Sequence, residues 1–289
     1  MDTITAVQQL ATPWLDRVML AVTYLGDAET YILLLAVIYL AVHPELGRRV
    51  GVYLLLSSLV NTQLKGLVDT PRPFELDPEA ARSEAAVATA GGASFPSGHA
   101  QMSATFWGYL ALWVRRRWLW ILAATLVALI SASRVYLGVH VPVDIAGGLL
   151  LAAVVLALAL LVDRYLVPVL ARWPLWLLLS LGLTAPLAVH LLLTTHTSGM
   201  YMGGLAALLT APLVIHHQVC PTLARRLAVA ILGIALVVLA WLGLGLLPDA
   251  VRQHPAGEFL EFLLLGYVGL ALAPYLARLL SLAPRPEPG

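Results

Sequence analysis

The feature that most restricts this chain is a succession of long apolar runs. They lie at roughly residues 10–26, 30–43, 50–69, 99–114, 118–136, 142–163, 174–193, 199–216, 227–247 and 258–280, parted by short polar connections. A hydrocarbon core about 30 Å thick takes about 20 residues of helix to cross. Most of the runs approach that length, and inside lipid a helix satisfies its own backbone groups. Of the 289 residues 60% are hydrophobic and 11% charged, too few polar side chains to clothe a water-soluble surface of that size. The chain therefore reads as all-α, a polytopic transmembrane helical bundle of about ten spans. The first two runs are the least regular, because Pro13, Asp16 and Arg17 put charge at the start of one and the other is short. They could form a tilted or partly interfacial hairpin about the turn Gly26-Asp27-Ala28-Glu29.

A net charge of +1 leaves no basic excess for nucleic acid, so the bilayer and its lipids are the expected partners. One cysteine, Cys220, excludes an intramolecular disulfide. The opening MDTITAVQQLATP lacks a basic region before an apolar core, and no cleavable signal peptide is expected. Arginines divide by side. Arg48, Arg49, Arg115, Arg116, Arg117, Arg164, Arg172, Arg225, Arg226, Arg278 and Arg285 gather at one set of loops, with Arg82 and Arg252 at the other. The positive-inside rule makes the first set cytoplasmic, with both termini expected there, and turns the second set outward.

Three short motifs stand at the ends of apolar runs on that outward side: KGLVDTPRP (65–73), PSGH (96–99) and SRVYLGVHVPVD (133–144), or K-x6-R-P, P-S-G-H and S-R-x5-H-x3-D. Lys65 is the sole lysine, and an ionised side chain in a membrane span marks a functional site by default. Arg72 follows two helical turns later, bracketed by Pro71 and Pro73, which end the span. Ser97 suits a helix N-cap, leaving the Gly98 and His99 amides as donors at the positive end of a helix dipole, and Gly98 lets a phosphate oxygen approach. Pro142 fits the first turn of another helix, so Asp144 can reach back to one nitrogen of His140, fixing its tautomer and freeing the other to attack. Arg134 adds a planar fork for two phosphate oxygens. Blander readings stand beside these: cations snorkelling to lipid phosphates, PSGH as a plain helix start, and Asp144 as a helix-dipole partner.

In order and spacing these motifs resemble those of the type-2 phosphatidic acid phosphatase superfamily. The resemblance implies that His140 attacks phosphorus to give a phosphohistidine, Asp144 activates it, and His99 protonates the leaving group. Lys65, Arg72, Ser97, Gly98 and Arg134 would hold the phosphate. Water would then hydrolyse the intermediate, with no metal and no cofactor. It also implies a six-helix phosphatase core, here residues 1–165; beyond it the apolar runs add about four spans, and the proline-rich end reads as a short disordered tail, over 166–289. Those added spans, and LGDAETY followed by HPELGRR, resemble sphingoid-base phosphate phosphatases, although these usually carry threonine where Gly98 stands. The expected activity is hydrolysis of a membrane lipid phosphate: a sphingoid-base phosphate, phosphatidic acid, phosphatidylglycerol phosphate or undecaprenyl diphosphate. A phosphotransferase using the same intermediate, and a lipid-binding or transport protein on the same scaffold, stay as alternatives.

Other segments carry weaker signals. The connection 74–95 begins acidic (FELDPEAARSE) and ends small and flexible, so it reads either as a solvated loop with a short helix or as a cover over the site. Gly199, Gly203 and Gly204 suit close helix packing, within the monomer or at a dimer seam. His196, His216, His217 and His254 read as interfacial, and His190 and Glu261 as interfacial or lining a lipid groove.

Overall fold

The computed structural model describes residues 2–252 and 254–283. Arg285 and almost all of the proline-rich tail lie outside them. Among the described residues the regular structure is helical: α1 (Asp2–Gln8), α2 (Pro13–Tyr24), α3 (Ala28–Val37), α4 (Pro44–Val68), α5 (Pro73–Leu76), α6 (Glu84–Ala88), α7 (Gly98–Val114) and α8 (Arg117–Tyr136). There follow α9 (Pro142–Leu161), α10 (Val167–Leu170), α11 (Leu175–Leu193), α12 (His196–Val214), α13 (Leu223–Leu244), α14 (Asp249–Arg252), α15 (Pro255–Tyr267) and α16 (Ala273–Leu279). Turns of π-helix extend α3 and link α9 to α10 and α15 to α16.

Six helices are long and apolar enough to cross a membrane, or seven if Pro13–Tyr24 and Ala28–Val42, bent by 52°, make one span. This is fewer than the ten apolar runs. Two of the missing spans are the helices that carry chemistry: α4, 25 residues with Ser57, Asn61 and Lys65, and α7, 17 residues with His99, Gln101 and Thr105. Site residues dilute the hydropathy of α4, whereas α7 is short of a full span at 17 residues. The first two runs form a bent pair in place of a hairpin, because the chain deflects at Gly26 without reversing.

By packing, the chain forms two compact units, one of residues 1–31 and 57–160, the other of 32–56 and 161–289. In the first, Tyr136, Leu137 and Val139 at and just beyond the end of α8 are buried with Ala86, and Val7, Ala11, Leu15 and Met19 from α1, α2 and the link between them pack on them. Gln8 Nε2 donates to the Ala80 and Tyr136 carbonyls at 2.9 Å each. The start of the chain therefore sits at the motif-bearing end of this unit. That corrects the expectation of an N-terminus on the side opposite the motifs. Gly138 turns the chain out of α8 at φ +74°, pressed so close to the Ala80 carbonyl that a Cβ would stand 1.7 Å from its oxygen, a conformation and approach open to glycine alone.

In the second unit, α12 packs on α11 and α15. A Cβ on Gly203 would come within 2.2 Å of the Phe259 carbonyl oxygen, and one on Gly199 within 2.9 Å of Glu258 Cβ, so these glycines serve packing inside the chain. His190 is neither interfacial nor in a groove: it is 1% exposed, donates through Nε2 to the Pro255 carbonyl and pairs through Nδ1 with Ser198 (both 2.9 Å). His217 is likewise buried, with Nε2 donating to the Leu40 carbonyl at 2.9 Å.

Candidate active site

The first unit brings all three motifs to one end. α4 closes at Val68, Asp69 takes the left-handed conformation at φ 43°, and Arg72 becomes the N-cap of α5, its amide donating to Glu75 Oε2 at 2.7 Å. The prolines on either side hold its backbone extended (φ −80°, ψ 156°). Ser97 caps α7 as expected, with its hydroxyl accepting from the Ala100 amide at 3.5 Å, and Gly98 is the first residue of that helix. The Ser97 amide donates to the Asp144 carbonyl at 3.0 Å, which ties the start of α7 to the start of α9.

His140 lies between these elements, 1% exposed. Its Nδ1 is 3.1 Å from Asp144 Oδ2 and its Nε2 is 3.2 Å from Arg72 Nη1. A carboxylate accepts only, so Nδ1 carries the hydrogen and the Nε2 lone pair faces the guanidinium. Burial pushes the His140 imidazole well below its usual pKa, against the pull of the Asp144 hydrogen bond, and the Arg72 charge lowers it further. The ring is thus neutral at pH 7 with a free electron pair, the form a nucleophile needs. Asp144 Oδ2 also accepts from Ser94 Oγ at 2.6 Å and the Val141 amide at 3.0 Å, so three donors fix one carboxylate oxygen.

The cations converge on the segment TAGGAS (89–94). Arg134, fully buried, donates through Nη1 to Thr23 Oγ1 (2.6 Å) and Thr89 Oγ1 (2.7 Å) and through Nη2 to the Thr89 carbonyl (3.2 Å). Its buried Nε has no hydrogen-bond partner. Arg72 donates through Nε to the Gly92 carbonyl (2.8 Å), through Nη2 to Gly91 (2.6 Å) and through Nη1 to Val139 (3.0 Å). Lys65 Nζ donates to the Ala93 carbonyl. The hydrogen-bond acceptors of both guanidiniums are neutral. Buried positive charge without a carboxylate partner is costly, and an anion with several oxygens relieves it.

The connection 74–95 is consequently a cover and not a free loop. Besides those contacts, Arg82 grips Asp16 of α2 through Nε (3.0 Å) and Nη2 (2.9 Å), and Tyr136 donates its hydroxyl to the same carboxylate at 2.7 Å. Beside it, a cavity of about 280 Å³ is walled by Pro71, Pro73, Phe95 and Val143, with Ser94 and Asp144 as its polar side. An amphiphile with an apolar body and a phosphate suits such a wall.

His99 opens toward a different neighbour. Its Nε2 lies 2.7 Å from Asp27 Oδ1, in the turn between α2 and α3. Behind α7 a buried chain of polar groups links it to α4: Asn61 Nδ2 donates to Gln101 Oε1 (2.8 Å) and the Pro96 carbonyl (3.3 Å), and Gln101 Nε2 to Ser57 Oγ (2.9 Å) and the Ser57 carbonyl (3.0 Å). Every residue singled out in the motifs thus lies in this assembly. Motif reading missed Thr23, Asp27, Asn61, Thr89 and Ser94. Asn61 and Asp27 carried a signal, one as a carboxamide deep in an apolar run and the other as an acid between two of them; Thr23, Thr89 and Ser94 carried none.

Residues 47–168 match the PAP2 superfamily model, and residues 195–285 match the model described as PAP2 superfamily phosphatase, transmembrane extension. Phosphatidylglycerophosphatase B of Bacillus subtilis is 29% identical over 149 residues, 47% of this chain and 69% of that protein. The putative undecaprenyl-diphosphatase YbjG of Escherichia coli is 33% identical over 144 residues, 48% of this chain and 69% of that protein. The crystal structure of the first transmembrane PAP2 type phosphatidylglycerolphosphate phosphatase from Bacillus subtilis aligns with a TM-score of 0.49 at 26% identity, covering 56% of this chain and 83% of that one. With its motifs assembled at one site and more than two thirds of the Escherichia coli relative matched at 33% identity, the chain belongs to the PAP2 superfamily and is a multi-pass membrane lipid phosphatase.

Proposed function

We propose that this phosphatase hydrolyses its lipid phosphate through a phosphohistidine on His140. The supporting observation is His140 itself, neutral, oriented by Asp144 through Nδ1 and directing its Nε2 lone pair at the Arg72 guanidinium, where a phosphoryl group would be held. In the first step Nε2 bonds to phosphorus, the phosphorus–ester oxygen bond breaks, and the departing oxygen takes a proton from His99. In the second, water loses a proton to His99 and attacks phosphorus, the phosphorus–nitrogen bond breaks, and inorganic phosphate leaves. Asp144 steadies the ring as it becomes cationic. Lys65, Arg72 and Arg134, with the Ser97 and Gly98 end of α7, take the charge spreading over the phosphoryl oxygens.

Relatives named for phosphatidylglycerophosphate and undecaprenyl diphosphate make these lipids the first candidates, ahead of phosphatidic acid and sphingoid-base phosphates. The arginine distribution supports a site on the extracytoplasmic face with the C-terminus cytoplasmic. Residues 1–165 would supply the catalytic core and 166–289 the added membrane helices. The test is phosphate release by detergent-purified protein from these four lipids, with and without chelator, together with acid quenching of a labelled substrate. Turnover that survives chelation, with acid-labile label on the protein that His140→Ala abolishes, is expected. Label on His140→Ala, or transfer to an added alcohol in place of water, would overturn hydrolysis through His140.

A further inference from the structure

We infer that Asp27 is a positioning residue for the leaving-group proton, holding the His99 ring through Nε2–H so that Nδ1 is the nitrogen that carries and delivers it. This rests on the reading of His99 as the acid. The match to the family model starts at residue 47, so Asp27 lies on a segment outside it.

The geometry is specific. An ionised carboxylate only accepts, so the 2.7 Å contact of Asp27 Oδ1 places a hydrogen on His99 Nε2. The proton that moves must then reside on Nδ1. The ring is seated accordingly: a Cβ on Gly26 would stand 2.8 Å from His99 Cδ2, so the turn packs against the Cδ2–Nε2 edge and leaves the Nδ1 edge turned away from it. The pair is partly enclosed, with side chains 13% and 21% exposed, where a charge contact is screened less than at the surface. Thr23, one helical turn before Asp27, accepts from Arg134 Nη1 at 2.6 Å. The end of α2 and the turn after it therefore serve two site residues, a hydroxyl for the buried guanidinium and a carboxylate for the acid. With Nδ1 protonated, the imidazolium is balanced by Asp27; once the proton has left, the Nε2–H bond to Asp27 remains and the ring stays in place for the water step.

The experiment compares leaving groups. A lipid phosphate monoester expels an alkoxide and needs the proton, whereas p-nitrophenyl phosphate expels a stable phenolate and does not. Asp27→Asn is expected to lower kcat on the lipid by about 10–100-fold with KM little changed, and on the aryl ester by less than about threefold, a smaller version of the same selective loss in His99→Ala. Asp27→Glu, which restores the carboxylate, should recover part of the lipid rate and guards against a variant that merely misfolds. In the His99→Ala background, Asp27→Asn should cost nothing more. Equal losses of Asp27→Asn on both esters, or additive losses with His99→Ala, overturn the role of Asp27 while leaving His99 as the acid. If His99→Ala itself loses equally on both, it is the acid assignment that falls, and the inference with it.

Discussion

Single side chains carry the sharpest distinctions here. Lys65 is the only lysine among 17 lysines and arginines, and its ammonium meets the carbonyl of Ala93 in the segment that also binds two guanidiniums. An ammonium is a compact point charge, while a guanidinium needs room for a planar fork, and two forks already converge there. Lys65→Arg should lose most of its turnover with thermal stability close to the parent, measured as phosphate release in matched detergent with Lys65→Ala as the floor. Parental activity in Lys65→Arg would mean that charge alone matters. The His140–Asp144 contact was legible because four residues and one proline fix it within a single helix start. Ser94 and Thr89 were not: they reach Asp144 across 50 positions and Arg134 across 45, and nothing in a serine or threonine announces a partner that distant.

Between the elements, the connection 74–95 departs most from what its composition suggests. Its acids look solvated, yet Ala80 and Ala86 are buried and Arg82 reaches the Asp16 carboxylate of α2. Both partners are about a third exposed, 30% and 28%, so the clamp contributes about 1 kcal/mol at most. Arg82→Ala should therefore fold, melt about 2–4 °C lower and be cleaved faster between α6 and α7 under limited proteolysis. Cleavage at the parental rate would show that the site contacts alone hold the cover. Helices were legible from apolar runs wherever the run was purely structural. Where a run also served the site, as in α4, polar residues diluted its hydropathy, α7 proved short at 17 residues, and the bend at Gly26 had no sequence mark to separate it from a hairpin.

For the molecule as a whole, α1 and α2 at the motif end place the N-terminus on the face of the site. If the site face is extracytoplasmic as proposed from the arginine bias, a single cysteine introduced at Thr3 in a Cys220→Ala background should be labelled in intact cells by a membrane-impermeant maleimide. Labelling only after permeabilisation would reverse the orientation. The cover has a thermodynamic meaning of its own. Thr89, Gly91, Gly92 and Ala93 already occupy donors of Arg134, Arg72 and Lys65, so a phosphate held by these cations, as proposed above, would exchange places with oxygens tethered at both ends of a short segment. Such a tethered rival acts at high effective concentration and lowers apparent affinity for substrate and released phosphate alike. Weak holding of product would thus follow from the same contacts that partner these cations between turnovers.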